Sequence, residues 1–216
     1  MKKININSWE RKSAYKCFSR YQNPTFSLST KIDVTNLVNY SKKTGTSFFA
    51  NTLFVVTKAL NSIDEFRIRI HKNKVVLFDK IDASFIVLNQ QGAIISCRTN
   101  YTENYNDFYA KTRSLIDSAK TDFSKKNFND NGDNNLFYFT CLPWVDFTSL
   151  SHPYNYRDKP RTSIPRISWG KYVFDGKKYL MTLDFCAHHA LLDGYHFAKG
   201  FTAIQDTINN LENYLK

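Results

Sequence analysis

Two adjacent histidines, His188 and His189, close an apolar run and are followed after three residues by Asp193-Gly194, then Tyr195-His196. An imidazole titrates near neutral pH and is the natural base for a hydroxyl or thiol nucleophile, provided its other nitrogen is held so that one tautomer persists. A carboxylate four residues on is close enough to organise the loop that supplies this hold, without touching the ring. In a strand, Leu183, Phe185, Ala187 and His189 share one side, and Thr182, Asp184, Cys186 and His188 the other. The two histidines therefore point apart and cannot share one metal ion. His196 brings a third nitrogen within reach, but no metal is expected. A single strand-end histidine is usually structural, and Asp193 alone would be an ordinary helix cap. The whole His-His-x-x-x-Asp-Gly string at the end of an apolar strand is far more specific.

The elements that must position these residues are legible in outline. Phe26–Ile32 alternates apolar and polar residues as a half-buried strand does. Asp33 is placed to cap a short helix through Lys43, ended by Gly45. Phe49, Leu53, Val56 and Leu60 fall on one helical face. Strands are expected at Phe66–Ile70, Lys74–Phe78, Ser84–Leu88 and Ala93–Cys97. A helix near Tyr105–Lys120 follows, with Phe108, Thr112 and Leu115 on one side. Ser124–Asn135 is polar and Asn-rich and reads as a surface loop. Further strands are expected at Leu136–Leu142, Ile167–Phe174 and Lys178–Ala187, with Asp175-Gly176 as a hairpin turn between the last two. Phe197, Phe201, Ile204, Ile208, Leu211 and Leu215 make a helical stripe toward the C-terminus. The sum is an α/β (α+β) fold, with a large mixed or antiparallel sheet in residues 1–216 as a single domain.

Bulk properties narrow the function classes. A chain of 216 residues with 42% hydrophobic residues buries a real core, so disorder is not the expectation. No apolar run approaches the ~20 residues needed to span a membrane. Met1–Lys12 lacks the apolar stretch of a secretory signal. Cys17, Cys97, Cys141 and Cys186 form no Cys-x-x-Cys pair and read as reduced thiols in a cytoplasmic protein. The net charge of +11 favours an anionic partner, and a basic binding module is one reading of it. The lysines and arginines are spread along the chain, however, and a nucleic-acid module usually gathers them on one element. A phosphate-bearing coenzyme needs only a few, and no nucleic-acid partner is expected.

Several motifs together resemble the chloramphenicol acetyltransferase family, within the wider group of coenzyme-A-dependent acyltransferases. The His-His-x-x-x-Asp-Gly string is the signature. Trp9–Tyr15 is similar to the family's opening W-x-R-(R/K)-x-x-F, and Phe26–Val34 to its first long strand and helix start. Glu65-Phe66-Arg67, Leu142-Pro143-Trp144-Val145 with Phe147, and Gly170-Lys171-Tyr172 follow in the family's order. The resemblance covers nearly the whole chain and implies a two-layer α/β sandwich with a mixed sheet.

It also implies roles. His189 would be the base that takes the proton of an acceptor hydroxyl as it attacks the thioester of acetyl-CoA, a co-substrate and not a bound cofactor. Asp193 and Arg11 would pair to support the loop. Thr140 and Ser168 would supply the hydroxyls for the tetrahedral oxyanion, with serine and threonine interchanged relative to the family. Lys171 and Tyr172 would lie near the coenzyme. Phe18, Phe26, Ile95 and Leu150 would line the acceptor pocket, with Ile95 where the family has a phenylalanine and Phe18 where it has a tyrosine. Ser149–Tyr156 replaces a family N-x-N segment. The implied assembly is a homotrimer with sites between subunits. The implied acceptor is chloramphenicol, or another hydroxyl compound on the same fold.

Overall fold

Alternating residues in Tyr179–His188 (β10) and Thr25–Asp33 (β2) make two long antiparallel strands, with Phe185 opposite Leu28 and His188 opposite Thr25. They belong to a computed structural model that describes residues 1–121 and 133–216. Arg166–Gly170 (β8) flanks β10 on its other side, antiparallel. Leu136–Leu142 (β7) and Asp82–Leu88 (β5) continue the sheet in parallel, and Ile94–Thr99 (β6) closes it antiparallel to β5. The strand order is β2-β10-β8-β7-β5-β6, with Val173–Phe174 (β9) also paired to β10. This is the mixed sheet that the sequence predicts.

Helices cover one face. Phe48–Asn61 (α3), Tyr105–Thr121 (α4) and Gly194–Asn209 (α6) pack there with Thr35–Thr44 (α2), while the single turn Lys159–Thr162 (α5) packs on the strand Ile68–His71 instead. Leu53, Val56 and Leu60 of α3 join Leu183, Phe185 and Ala187 of β10 in the main core, so α3 is buried nearly all round. Gly200 is what lets α6 approach the sheet: a Cβ there would lie 2.8 Å from the Phe66 ring and 2.9 Å from that of Phe185. Among the described residues, no helix is long and apolar enough to cross a membrane.

A second, smaller sheet joins Lys2–Lys3 (β1), Lys74–Leu77 (β4) and Ile68–His71 (β3). Its core of Ile68, Ile70 and Val75 takes in Leu191 from the loop after β10, and Trp9 and Tyr15 pack against it. Tyr15 lies on Lys12–Phe18 (α1), so the opening motif is fastened to this sheet.

The structure moves several expected boundaries. Helix α2 starts at Thr35 with Val34 at the cap position, and Asp33 Oδ1 instead accepts the Thr35 amide at 3.0 Å. Gly45 ends it at φ +67°, as predicted. The expected strand at Phe66 begins at Ile68, because Asp64–Arg67 winds into a 3-10 turn. On α4, Ile116 rather than Leu115 fills the buried line below Thr112. The expected strand Ile167–Phe174 breaks after Gly170, where the Lys171 amide leaves the sheet to donate to the Val145 carbonyl at 2.8 Å. The Asp175-Gly176 turn forms, with Gly176 at φ +101°. The C-terminal helix stops at Asn209, yet Leu211 and Leu215 are still buried in the main core. Residues 124–132 of the expected surface loop lie outside the described residues. Asn134, also assigned to that loop, is buried, and its Nδ2 donates to the Ile70 carbonyl at 2.8 Å.

Candidate active site

The strand β10 ends at His188, and His189 is the first residue of the turn beyond it. Its amide donates to the Pro24 carbonyl at 2.7 Å, which ties the turn to the entrance of β2. Its ring stacks on Phe18 at 3.9 Å between centroids and leans on Phe26 at 4.4 Å. Nδ1 lies 3.1 Å from the Leu192 carbonyl. A carbonyl only accepts, so Nδ1 carries a proton, and in the neutral ring the lone pair lies on Nε2. Phe18 and Phe26, expected in the acceptor pocket, are thus placed against the His189 ring.

The turn is anchored at each residue. Leu191 enters the small-sheet core and Leu192 the main core, each 1% exposed. His188 faces the other way, 4% exposed, and its Nδ1 accepts the Ala190 amide at 3.2 Å. Asp193 then opens α6: its Oδ1 accepts the amides of Tyr195 at 3.1 Å and His196 at 3.3 Å, and the Asp193 amide donates back to His196 Nδ1. This is a capping box with histidine in the place usual for glutamate. The Arg11 guanidinium bonds Asp193 Oδ2 through Nη1 and the His189 carbonyl through Nη2, the latter at 3.2 Å. One side chain therefore holds both ends of the turn. Burial alone would raise the Asp193 pKa, but the bonds from Arg11 and the His196 amide outweigh it and hold the carboxyl below its usual range.

A second group of side chains lies on the sheet face away from the helices. Thr140 on β7 and Ser168 on β8 are register partners. Thr140 lines a cavity of about 440 Å³ with Ser84, Ser96, Tyr138, His152 and Arg166. None of His189, Phe18 and Phe26 lines it. Ser168 is fully buried, and its hydroxyl lies 3.0 Å from His152 Nε2. Burial, and then the charge of Arg166, push the His152 pKa down to about 4, so that ring is neutral in ordinary buffers. The Arg166 guanidinium lies 3.4 Å above the Tyr154 ring.

Ile95 is a correction. It is 2% exposed in the core under the helices, and its neighbour Ser96 lines the cavity. Successive strand residues face opposite sides, so in β6 it is Ser96, not Ile95, that faces the cavity. Leu150 is half-buried in the Ser149–Tyr156 segment and is not among the cavity residues. The sequence reading missed His152 and Arg166. The signal for His152 was the departure from the N-x-N segment, which brings His152-Pro153-Tyr154 over the sheet.

Lys171 and Tyr172 sit at the break between β8 and β9. Lys171 is exposed, and the Tyr172 ring lies 4.8 Å from Phe48, in the first turn of α3. Gly170 is forced by packing: a Cβ there would lie 2.7 Å from the Val145 carbonyl oxygen. The Pro143-Trp144-Val145 and Gly170-Lys171-Tyr172 motifs are thus two sides of one close crossing. Phe147, from the same segment, receives the Thr182 hydroxyl on its carbonyl at 2.7 Å.

The buried neutral histidines make a prediction. Burial pushes His188, like His152, down to about 4, whereas an unfolded histidine titrates near ~6.5. Their contribution to stability is full above pH ~6.5 and is lost as pH falls toward 4, because the unfolded chain takes up protons first. Unfolding free energy in urea should fall by on the order of 1–3 kcal/mol across that window. His188→Gln should flatten the slope, and an unchanged slope would contradict the assignment.

The model of the family described as chloramphenicol acetyltransferase matches residues 1–205. The chain is 28% identical over 211 residues to chloramphenicol acetyltransferase 3 of Escherichia coli, covering 96% of this chain and 97% of that one. It is 27% identical over 202 residues to chloramphenicol acetyltransferase of Proteus mirabilis, covering 94% and 92%. A solved structure of a chloramphenicol acetyltransferase superposes with a TM-score of 0.88 at 29% identity, covering 96% of this chain and all of the other.

Proposed function

The chain belongs to the chloramphenicol acetyltransferase family, and from that premise we propose that it transfers the acetyl group of acetyl-CoA directly to a hydroxyl of chloramphenicol, an antibiotic-inactivating reaction with His189 as base. The observation that carries this reading is the bond between His189 Nδ1 and the Leu192 carbonyl. It leaves Nε2 free to take the hydroxyl proton while the hydroxyl oxygen attacks the thioester carbon. A new C–O bond forms and the carbonyl electron pair moves to oxygen. The intermediate then collapses, the C–S bond breaks, and the imidazolium returns its proton to the departing thiolate.

The oxyanion needs positioned donors. Thr140 and Ser168 fill that role from adjacent strands, with His152 holding the second hydroxyl. In this reading the exposed Lys171 meets a coenzyme phosphate and Tyr172, beside Phe48, stacks on the adenine. Residues 1–216 act as one acyltransferase domain working in the cytoplasm.

The base and the oxyanion donors belong to different regions of one chain, since His189 does not line the Thr140 cavity. A homotrimer in which His189 faces a neighbour's cavity completes the site. Trp144, 70% exposed, and Val145, 48% exposed, offer apolar surface for such contacts. Thr140→Ala should lower kcat by about 10²–10³-fold. Co-expressed with His189→Ala chains, it should regain activity in mixed trimers, which carry some sites with both groups intact. Absence of any regain would place each site within one chain.

The reaction type is tested on the product. NMR should show an acetyl ester on a chloramphenicol hydroxyl, and intact mass spectrometry should find no acetylated enzyme during turnover. Accumulation of an acetyl-enzyme would overturn direct transfer.

A further inference from the structure

The cavity that holds Thr140 carries charge of one sign. Arg166 and Arg161, the latter with Nε 3.6 Å from Asp158 Oδ2, line it, His152 is neutral, and among the described residues that line it none is a carboxylate. Arg166 projects from β8, opposite Tyr138 on one side and Cys186 on the other. Its guanidinium is stacked at 3.4 Å on Tyr154 and lies 5.8 Å from the Tyr138 ring, so its plane is fixed before anything binds. Nη1 of Arg166 is buried and has no hydrogen-bond partner among the described residues. Asp184, two residues along β10 from the Cys186 that faces Arg166, accepts the Ser29 hydroxyl at 2.7 Å. A buried donor without a partner is costly to keep. A fixed guanidinium matches a planar pair of oxygens, to which it donates two parallel bonds.

We propose that Arg166 makes this cavity selective for hydroxyl acceptors that end in a planar, negatively charged pair of oxygens, a carboxylate above all. The inference rests on the cavity being the acceptor site of the proposed transferase. A nitro group has the same shape with partial charge, so chloramphenicol fits the same contact more weakly than a carboxylate would. Thr140 then lies at the reacting end and Arg166 at the recognising end of one acceptor.

The test uses two chloramphenicol analogues in which the nitro group is replaced by carboxylate or by carboxamide, equal in shape and different in charge. Their binding to the full chain is measured by calorimetry without acetyl-CoA, and their acetylation by thiol release. The carboxylate should bind at least tenfold more tightly than the carboxamide. That ratio should collapse to within about threefold in Arg166→Met and stay intermediate in Arg166→Lys, which keeps the charge but loses the fork. Circular dichroism checks that both variants fold, and if Arg166→Met does not, Arg166→Lys carries the comparison. Equal binding of the two analogues, no binding of either, or a ratio that survives loss of Arg166 would overturn the proposal. Failure of every acceptor to release thiol would instead overturn the transferase reading, while the calorimetric ratio would still decide the cavity's preference.

Discussion

His189→Ala should lower kcat by roughly 10²–10⁴-fold, the usual contribution of a positioned general base. Affinity for acetyl-CoA should change little, because Lys171 and Tyr172, proposed to meet the coenzyme, are not in the His189 turn. The fold should survive, since the contacts that hold the turn use its backbone: the His189 amide on Pro24 and its carbonyl on Arg11. Added imidazole should restore part of the rate by entering the space beside Phe18 and Phe26. Steady-state kinetics with and without imidazole, alongside a thermal melt, check this. A variant that keeps more than about a tenth of wild-type kcat would remove His189 from the mechanism.

Arg11→Leu is expected to have the next largest effect, and it acts on two quantities. The Arg11 side chain is only 9% exposed, and its loss leaves the Asp193 carboxylate, one third exposed, without its cation. Breaking a fully buried pair costs ~3–5 kcal/mol; partial exposure of Asp193 reduces the expectation to about 1–3 kcal/mol. The kinetic effect comes through position, since Arg11 also holds the His189 carbonyl. Loss of both bonds frees the turn, and kcat should fall by ~10–100-fold with KM values nearly unchanged. Asp193 adds a pH signature. Its pKa is depressed in the folded chain, so its stabilisation is present above pH ~4 and is lost as pH falls through the folded value. Arg11→Leu should therefore also remove part of the acid sensitivity of unfolding. Arg11→Lys should recover stability better than rate, because an ammonium cannot reach the carboxylate and the carbonyl as a fork does.

Much of this arrangement was legible in the residues. The alternation in Leu183–His188 places the two histidines apart, because strand periodicity is local and β10 is buried along its length. The Asp193 cap and the Gly45 and Gly176 turns are likewise local, set by backbone chemistry. What the sequence hid depends on contacts between distant segments. The break after Gly170 exists because the Val145 carbonyl captures the Lys171 amide. The assignment of Ile95 fails by one residue, and in a strand that reverses the face. His152 and Arg166 become part of the site only when the Ser149–Tyr156 segment folds over β8, a long-range event without periodic signal. Leu191 and Leu192 look interchangeable in the sequence, yet each is buried in a different core.

If His189 activates a chloramphenicol hydroxyl toward acetyl-CoA, thiol release depends on both the acceptor and this imidazole. Free thiol release from acetyl-CoA, measured with and without chloramphenicol for the wild-type chain and His189→Ala, tests it most directly. The expected result is release that requires chloramphenicol and is nearly abolished in the variant. Release that ignores chloramphenicol, or that persists in His189→Ala, would contradict it.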